Sequence, residues 1–220
     1  MNKHTWVVIP AYNEEKKIGA VINKVKKICK NIVVVDDGSK DNTYELAKSK
    51  KVTALKHIIN LGKGSAAKTG CDYVFKQNGQ VMILIDADGQ HKPEDIPRFL
   101  TQINKGNDIV FGYRSRTKKM PAVFRFGNWF INKVTEILYE IKIKDSQSGY
   151  RAFTSESYTK IRWNSTDYSM ESEMIANVGK NKLKYSEIPI ATIYSDDYKG
   201  TTIFDGIKIV WNMLIWRLEK

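Results

Sequence analysis

Cysteine is scarce in this chain: Cys29 and Cys71 stand alone among 220 residues, in neither a metal-ligand nor a redox spacing. No disulfide framework or thiolate site is expected, and a reducing, cytoplasmic location is the default. No apolar segment precedes the first expected strand, so no leader is anticipated. Nor is any hydrophobic run long enough to span a bilayer: the most apolar stretch, Ile203 to Leu218, is interrupted by Asp205, Lys208, Asn212 and Arg217. Acidic residues are in deficit, 24 against 36 Lys plus Arg, for a formal charge of +12. That excess favours phosphate-rich partners or an anionic membrane surface, and by charge alone nucleic acid competes with both.

Two nucleotide fingerprints are also missing. No Gly-x-Gly-x-x-Gly follows the first strand, so nicotinamide and flavin cofactors have no local support. Gly62-Lys63-Gly64 opens a helix and resembles a phosphate cradle, but it lacks the spacing and the Lys-Ser/Thr ending of a P-loop. Lys63 is a candidate anion contact or a solvated lysine.

What is present centres on Val81-Met82-Ile83-Leu84-Ile85 followed by Asp86-Ala87-Asp88-Gly89-Gln90. Five consecutive apolar residues predict a strand buried on both faces, with two carboxylates arriving where it runs out. If the pleat persists, Asp86 and Asp88 point the same way and can converge on one hard cation such as Mg²⁺ or Mn²⁺, with Gln90 adding a neutral oxygen. A turn cap is the plainer alternative.

The rest of the chain supplies repeated strand-loop-helix units, and the size suits one α/β domain, 1–202, with a C-terminal amphipathic helix, 203–220. Thr5 to Ile9 is a strand stopping at Pro10, and Ile18, Val21, Ile22, Val25 and Ile28 then recur at helical spacing. In the intervening loop Tyr12 could stack and Glu14 could sit at a helix N-terminus. Strands are expected over Asn31 to Val35 and Ala54 to Ile58, the first followed by the acidic turn Asp36-Asp37-Gly38-Ser39. Pro93 suits the first residue of a helix. A strand at Asp108 to Phe111 leads into Arg114 and Arg116, which can neutralise a diphosphate; Arg114 stands closer to the strand. Met120 to Lys142 reads as one long or two shorter amphipathic helices, carrying Arg125. A polar loop, Asp145 to Gly149, enters a short strand. A helix follows from Ser169, in which Glu171 and Glu173 are not placed to share one face. Tyr185 to Ile193, interrupted by Pro189, reads as an edge strand.

In combination, Val8-Ile9-Pro10-Ala11-Tyr12-Asn13-Glu14, Val34-Val35-Asp36-Asp37-Gly38-Ser39, Gly62-Lys63-Gly64, Asp86-Ala87-Asp88-Gly89-Gln90 and Asp145-Ser146-Gln147-Ser148-Gly149-Tyr150-Arg151 resemble the inverting glycosyltransferase family 2 that includes dolichyl-phosphate mannose synthases and polyprenyl-phosphate glycosyltransferases. The resemblance implies a glycosyltransferase A-type, Rossmann-like α/β fold with a mostly parallel sheet. It implies nucleotide and diphosphate contacts at Pro10, Ala11, Tyr12, Glu14, Val35, Asp37, Lys63, Asp86, Ala87, Asp88 and Arg114, with metal at Asp86, Asp88 and Gln90. Catalytic weight falls on Asp88, Arg114 and Asp145, and acceptor phosphate contacts on Arg125, Ser148 and Lys199. A departure lies at Lys199-Gly200-Thr201-Thr202, where many relatives carry a second lysine.

The implied reaction takes a hexosyl unit from GDP-mannose, UDP-glucose or UDP-N-acetylglucosamine to polyprenyl or dolichyl phosphate, at the cytoplasmic membrane face and without nucleic acid. A soluble saccharide or protein acceptor, and a noncatalytic nucleotide-binding protein, are the alternatives. With about 16 residues, the tail is too short to span and suits the headgroup boundary, a packing role or a dimer contact.

Overall fold

The computed structural model describes residues 4–114, 122–191 and 203–218. Arg116 and Lys199 lie outside the described residues, as does the side chain of Arg125.

Strands β1 (Thr5–Ala11), β2 (Asn31–Asp36), β3 (Thr53–Lys56), β4 (Val81–Leu84), β5 (Ile109–Arg114), β6 (Arg151–Thr154) and β7 (Tyr185–Ile190) form one seven-stranded sheet in the order β3-β2-β1-β4-β6-β5-β7. Every pairing is parallel except those of β6, which runs antiparallel to both β4 and β5. The central strands are apolar at consecutive positions because both faces are covered. Val8, Val33 and Val35 face one core with α3 (Lys63–Lys76), α5 (Ala122–Tyr139), α7 (Met170–Lys180) and α8 (Ile203–Leu218). Val7, Ile9 and Val34 face the other, with α1 (Glu15–Lys26) and α4 (Ile96–Asn104).

Some expected boundaries move. The third strand stops at Lys56, short of Ile58, because Lys56 pairs with Asp36, the last residue of β2, and no neighbour continues the ladder. Ile58 emerges 98% exposed. Pro93 opens a 3-10 turn, Pro93–Asp95, from which α4 continues. The amphipathic stretch after Met120 is a single helix, α5, with Gly127 inside it. Pro189 sits on β7, which among the described residues pairs with β5 alone, at the sheet edge.

The tail helix α8 packs on α5 and α7. Ile209 and Met213 are buried in the same core as the sheet, and the Tyr139 hydroxyl donates to the Met213 carbonyl at 2.5 Å. Its opposite face leaves Ile207, Trp211, Leu214, Ile215 and Leu218 exposed. Among the described residues no helix is long and apolar enough to cross a membrane.

The antiparallel β6 carries Arg151, which has no exposed surface. Its guanidinium lies 5.2 Å from the centre of the Phe111 ring and donates to the carbonyls of Ser148 (3.0 Å), Glu171 (2.7 Å) and Ser146 (2.9 Å). Burial pulls its pKa down to about 10, against the opposing pull of Glu171, Asp145 and Asp86, so it stays charged at neutral pH. Replacing it by methionine removes a charged donor from three main-chain carbonyls, a hydrogen bond to a charged group being worth about 1.5–3 kcal/mol. Urea unfolding of Arg151→Met is expected to show a loss of about 3–5 kcal/mol, with Arg151→Lys in between; a loss under about 1 kcal/mol would contradict this account.

Candidate active site

The reversed direction of β6 assembles the site. Leu84 on β4 and Phe111 on β5 both pair with Arg151, so the loop entering β6, residues 145–150, lies at the end of the sheet toward which β4 and β5 run. Beside them emerge the loops that follow β1 and β2.

Asp86 and Asp88 are brought together by a turn, not by a continuing pleat. β4 ends at Leu84, Gly89 adopts φ +73°, and the Asp88 carboxylate accepts the Gln90 amide at 2.9 Å. Glycine takes that backbone region without a steric cost. Lys63 Nζ approaches Asp86 Oδ1 at 2.8 Å, and His91 Nδ1 lies 3.7 Å from Asp86 Oδ2. The buried His91 ring stacks on Tyr150 at 5.1 Å, and its Nδ1 has no hydrogen-bond partner among the described residues. Burial would raise the Asp86 pKa, but Lys63, then His91, hold it below the usual carboxylate range. Burial and the neighbouring Asp86 charge raise Asp88 instead. A divalent cation would relieve that crowding of like charges.

Gly149 closes the cradle from the opposite side. A Cβ there would come within 2.8 Å of Asp86 Oδ2 and 2.9 Å of Lys63 Nζ, so any side chain would push these paired groups aside. Among the described residues no three His, Cys, Asp or Glu side chains form a metal cage by themselves. The donor set fits a cation that arrives with diphosphate oxygens and water; Asp86, Asp88 and Gln90 would complete its shell.

Arg114 is held rigidly. Its Nε and Nη2 donate to the two oxygens of Asp145 at 2.7 and 2.9 Å, and its own amide adds a third bond at 3.1 Å. The Gln147 amide also donates to Asp145. Burial would raise the Asp145 pKa, but the Arg114 hydrogen bonds and charge hold it below the usual carboxylate range, and the pairing orients the arginine. Ser148 lies in the same loop, buried, with its hydroxyl unpartnered among the described residues.

On the nucleotide side Pro10 and Ala11 are buried at the end of β1, Tyr12 is 39% exposed, and Glu14 is partly buried ahead of α1. Val35 and Ala87 lie inside the core, leaving only their main chains to meet a ligand. Asp37 accepts from His57 Nδ1 (2.7 Å) and from the Leu61 and Gly62 amides (3.0 and 2.8 Å), shaping the loop into α3. Gly62-Lys63-Gly64 is no phosphate cradle. The amides of Gly64 and Ser65 are capped by the Thr166 carbonyl at 2.7 and 3.2 Å, and a Cβ on Gly62 or Gly64 would collide with residues 165 and 166. The glycines admit that backbone, and Lys63 turns to Asp86 and, at 2.9 Å, to Glu171.

Sequence reasoning gave no role to His57, His91, Arg151, Thr166 or Glu171. Only Arg151 and His91 carried a signal, Arg151 as the last residue of a motif already singled out and His91 directly after another. Glu171 and Glu173 do take different partners: Glu173 accepts from the Asn164 and Ser165 amides, ordering the loop that caps α3.

Because the folded pKa of Asp145 is depressed, its contribution to stability is complete above about pH 4, the ordinary aspartate value. It is lost as pH falls through the lower folded value. Asp145→Asn is expected to cost about 3 kcal/mol at pH 7. That gap to the unsubstituted protein should narrow as the pH of urea titrations falls from about 7 to 3. A gap independent of pH would contradict the assignment.

Residues 6–170 match glycosyl transferase family 2. The UDP-N-acetylglucosamine–dolichyl-phosphate N-acetylglucosaminyltransferase of Methanococcus voltae is 36% identical over 247 residues, covering 100% of this chain and 98% of that protein. The polyprenol monophosphomannose synthase of Mycolicibacterium smegmatis is 29% identical, over 94% and 83% of the two chains. Among solved structures, glucosyl-3-phosphoglycerate synthase from Mycobacterium tuberculosis, crystallised with Mn²⁺, UDP-glucose and phosphoglyceric acid, superposes with a TM-score of 0.74 at 18% identity. That superposition covers 98% of this chain and 79% of the other, and the shared fold is the glycosyltransferase A type. The chain therefore belongs to glycosyl transferase family 2, and its reaction is glycosyl transfer from a nucleotide diphosphate sugar.

Proposed function

We propose that the protein transfers a hexosyl group from its nucleotide sugar to the phosphate of a polyprenyl or dolichyl lipid, aided by Mg²⁺ or Mn²⁺ held at Asp86, Asp88 and Gln90. The observation that carries the lipid acceptor is the split character of α8. One face is fixed in the core through Ile209 and Met213, and the other presents Ile207, Trp211 and Leu214 to solvent, with Arg217 in the last turn and Lys208 paired to Asp167 at 2.6 Å. The likeness to the M. voltae dolichyl-phosphate enzyme supports the same reading and puts UDP-N-acetylglucosamine first among the donors.

In this mechanism an acceptor phosphate oxygen attacks the anomeric carbon from the face opposite the leaving group. The bond from that carbon to the diphosphate oxygen breaks, and the sugar inverts. The acceptor phosphate is already ionised at neutral pH, so the work falls on alignment and charge neutralisation. The cation, when bound, supplies Lewis-acid stabilisation of the leaving diphosphate. Arg114, oriented by Asp145, can add fixed positive charge to the same group. Tyr12 offers a ring to the base. Arg125, Ser148 and Lys199 are proposed for the acceptor phosphate.

One observation favours a second reading, a soluble acceptor. The buried face of α8 already gives the helix a packing role, and the same fold serves the glucosyl-3-phosphoglycerate synthase crystallised with phosphoglyceric acid.

Transfer of radiolabelled sugar from a panel of donors, into an organic-extractable product with polyprenyl phosphate or a water-soluble one with short acceptors, separates the two. The Asp88→Ala protein should keep its circular dichroism spectrum and lose on the order of 100-fold in turnover, and chelator should silence the unsubstituted enzyme. Undiminished transfer after metal depletion would sink the cation assignment. A Trp211→Glu/Leu214→Glu variant should float less with anionic liposomes and use long-chain acceptor on the order of 10-fold less well, with short-chain turnover retained. Unchanged flotation and unchanged long-chain turnover would favour the soluble reading.

A further inference from the structure

Glu171 stands in the first turn of α7, 2% exposed, with Oε1 2.9 Å from Lys63 Nζ and Oε2 buried without a hydrogen-bond partner among the described residues. A carboxylate so placed is costly on its own. Its compensation is Lys63, whose ammonium lies between Glu171 and Asp86, 2.8 Å from the latter. Burial alone would lower the Lys63 pKa, but the two carboxylates raise it, and the lysine remains charged.

Positions on three elements fix this arrangement. Arg151 donates to the Glu171 carbonyl, tying the start of α7 to the loop before β6. Thr166 caps the start of α3 and so places Lys63. Gly149 leaves room for Lys63 Nζ and Asp86 Oδ2, which a Cβ would have to displace.

An ammonium bonded to Asp86 alone would compete with any cation for that carboxylate. A second carboxylate behind the lysine shares its charge and weakens its hold on the first. We propose that Glu171 is a positioning residue: acting through Lys63, it sets how strongly and in what orientation Asp86 is offered to a divalent cation. This rests on the cation site proposed above, and outer partners of ligating carboxylates typically change metal affinity by about 10–100-fold.

The test is binding of Mn²⁺ alone to the full chain, followed by the electron paramagnetic resonance signal of free Mn²⁺, with thermal unfolding as the check on folding. Glu171→Gln is expected to weaken Mn²⁺ binding about 10-fold and to raise the Mn²⁺ concentration for half-maximal transfer by a similar factor, while the rate at saturating Mn²⁺ stays within about twofold. The double variant Lys63→Met/Glu171→Gln removes competitor and compensator together. It should recover Mn²⁺ binding to within about threefold of the unsubstituted protein, which a purely structural role for Glu171 would not produce. Should Glu171→Gln fail to fold, the neutral double variant carries the test against Lys63→Met, whose uncompensated Glu171 should leave Mn²⁺ binding displaced from both.

Unchanged Mn²⁺ affinity in Glu171→Gln, or a double variant as weak as that single one, overturns the proposal. Absence of Mn²⁺ binding by the unsubstituted protein overturns the cation site itself, and the proposal with it.

Discussion

The buried guanidinium of Arg151 is the interaction on which the site depends. A charge without solvent must have its donors satisfied, and here they are met by main-chain carbonyls of Ser146, Ser148 and Glu171. Those carbonyls belong to two separate segments, the loop entering β6 and the start of α7. One side chain therefore fixes both relative to the sheet, and with them Asp145, Gly149 and Glu171.

Buried carboxylates repeat the device with the opposite sign. Asp37 gathers the amides of Leu61 and Gly62 with the His57 ring, and Glu173 gathers those of Asn164 and Ser165. The Glu173 loop then presents the Thr166 carbonyl that caps α3. Irregular backbone crowds the end of the sheet, and every buried amide in it needs an acceptor. Carboxylates meet that need while leaving the cationic groups Lys63 and Arg114 oriented. A ligand then meets directions already set, which is the basis of electrostatic preorganisation.

Much of this was legible in the sequence, and the failures have physical causes. Strands of the parallel core announce themselves as apolar runs because both faces are buried, so β1, β2 and β4 could be read directly, although β1 runs on through Pro10 to Ala11, past its expected stop. The Asp86–Asp88 pair was legible as chemistry, but its geometry was not. The strand ends at Leu84 and the pair sits in a turn with Gly89 at positive φ and an aspartate-to-amide bond, which a strand pattern does not encode. Gly62-Lys63-Gly64 misled because glycine at a helix start signals close backbone approach without saying whose backbone; the partner, Thr166, is far away in sequence. Glu171 was invisible for the same reason, since its meaning depends on Lys63 across the fold. The Arg151 role needed the antiparallel placement of β6, which periodicity does not supply.

Charge pairing within the site also gives the net charge of +12 a different meaning from the one composition first suggests. Lys63 is matched by Asp86 and Glu171, and Arg114 by Asp145. Arg151 has Glu171, Asp145 and Asp86 as its opposing charges. With Asp37, Asp88 and Glu173 included, the described interior of the site holds more carboxylates than cations, and the surplus of lysine lies outside it. Surface charge acts over about a Debye length and is screened by salt, so it governs encounter with anionic donors or membranes more than the strength of the final grip. The grip depends on a few oriented groups whose charges become available only where a diphosphate can replace their internal partners. Salt should therefore affect how often substrate arrives, while substitutions in the paired network affect what happens once it is there.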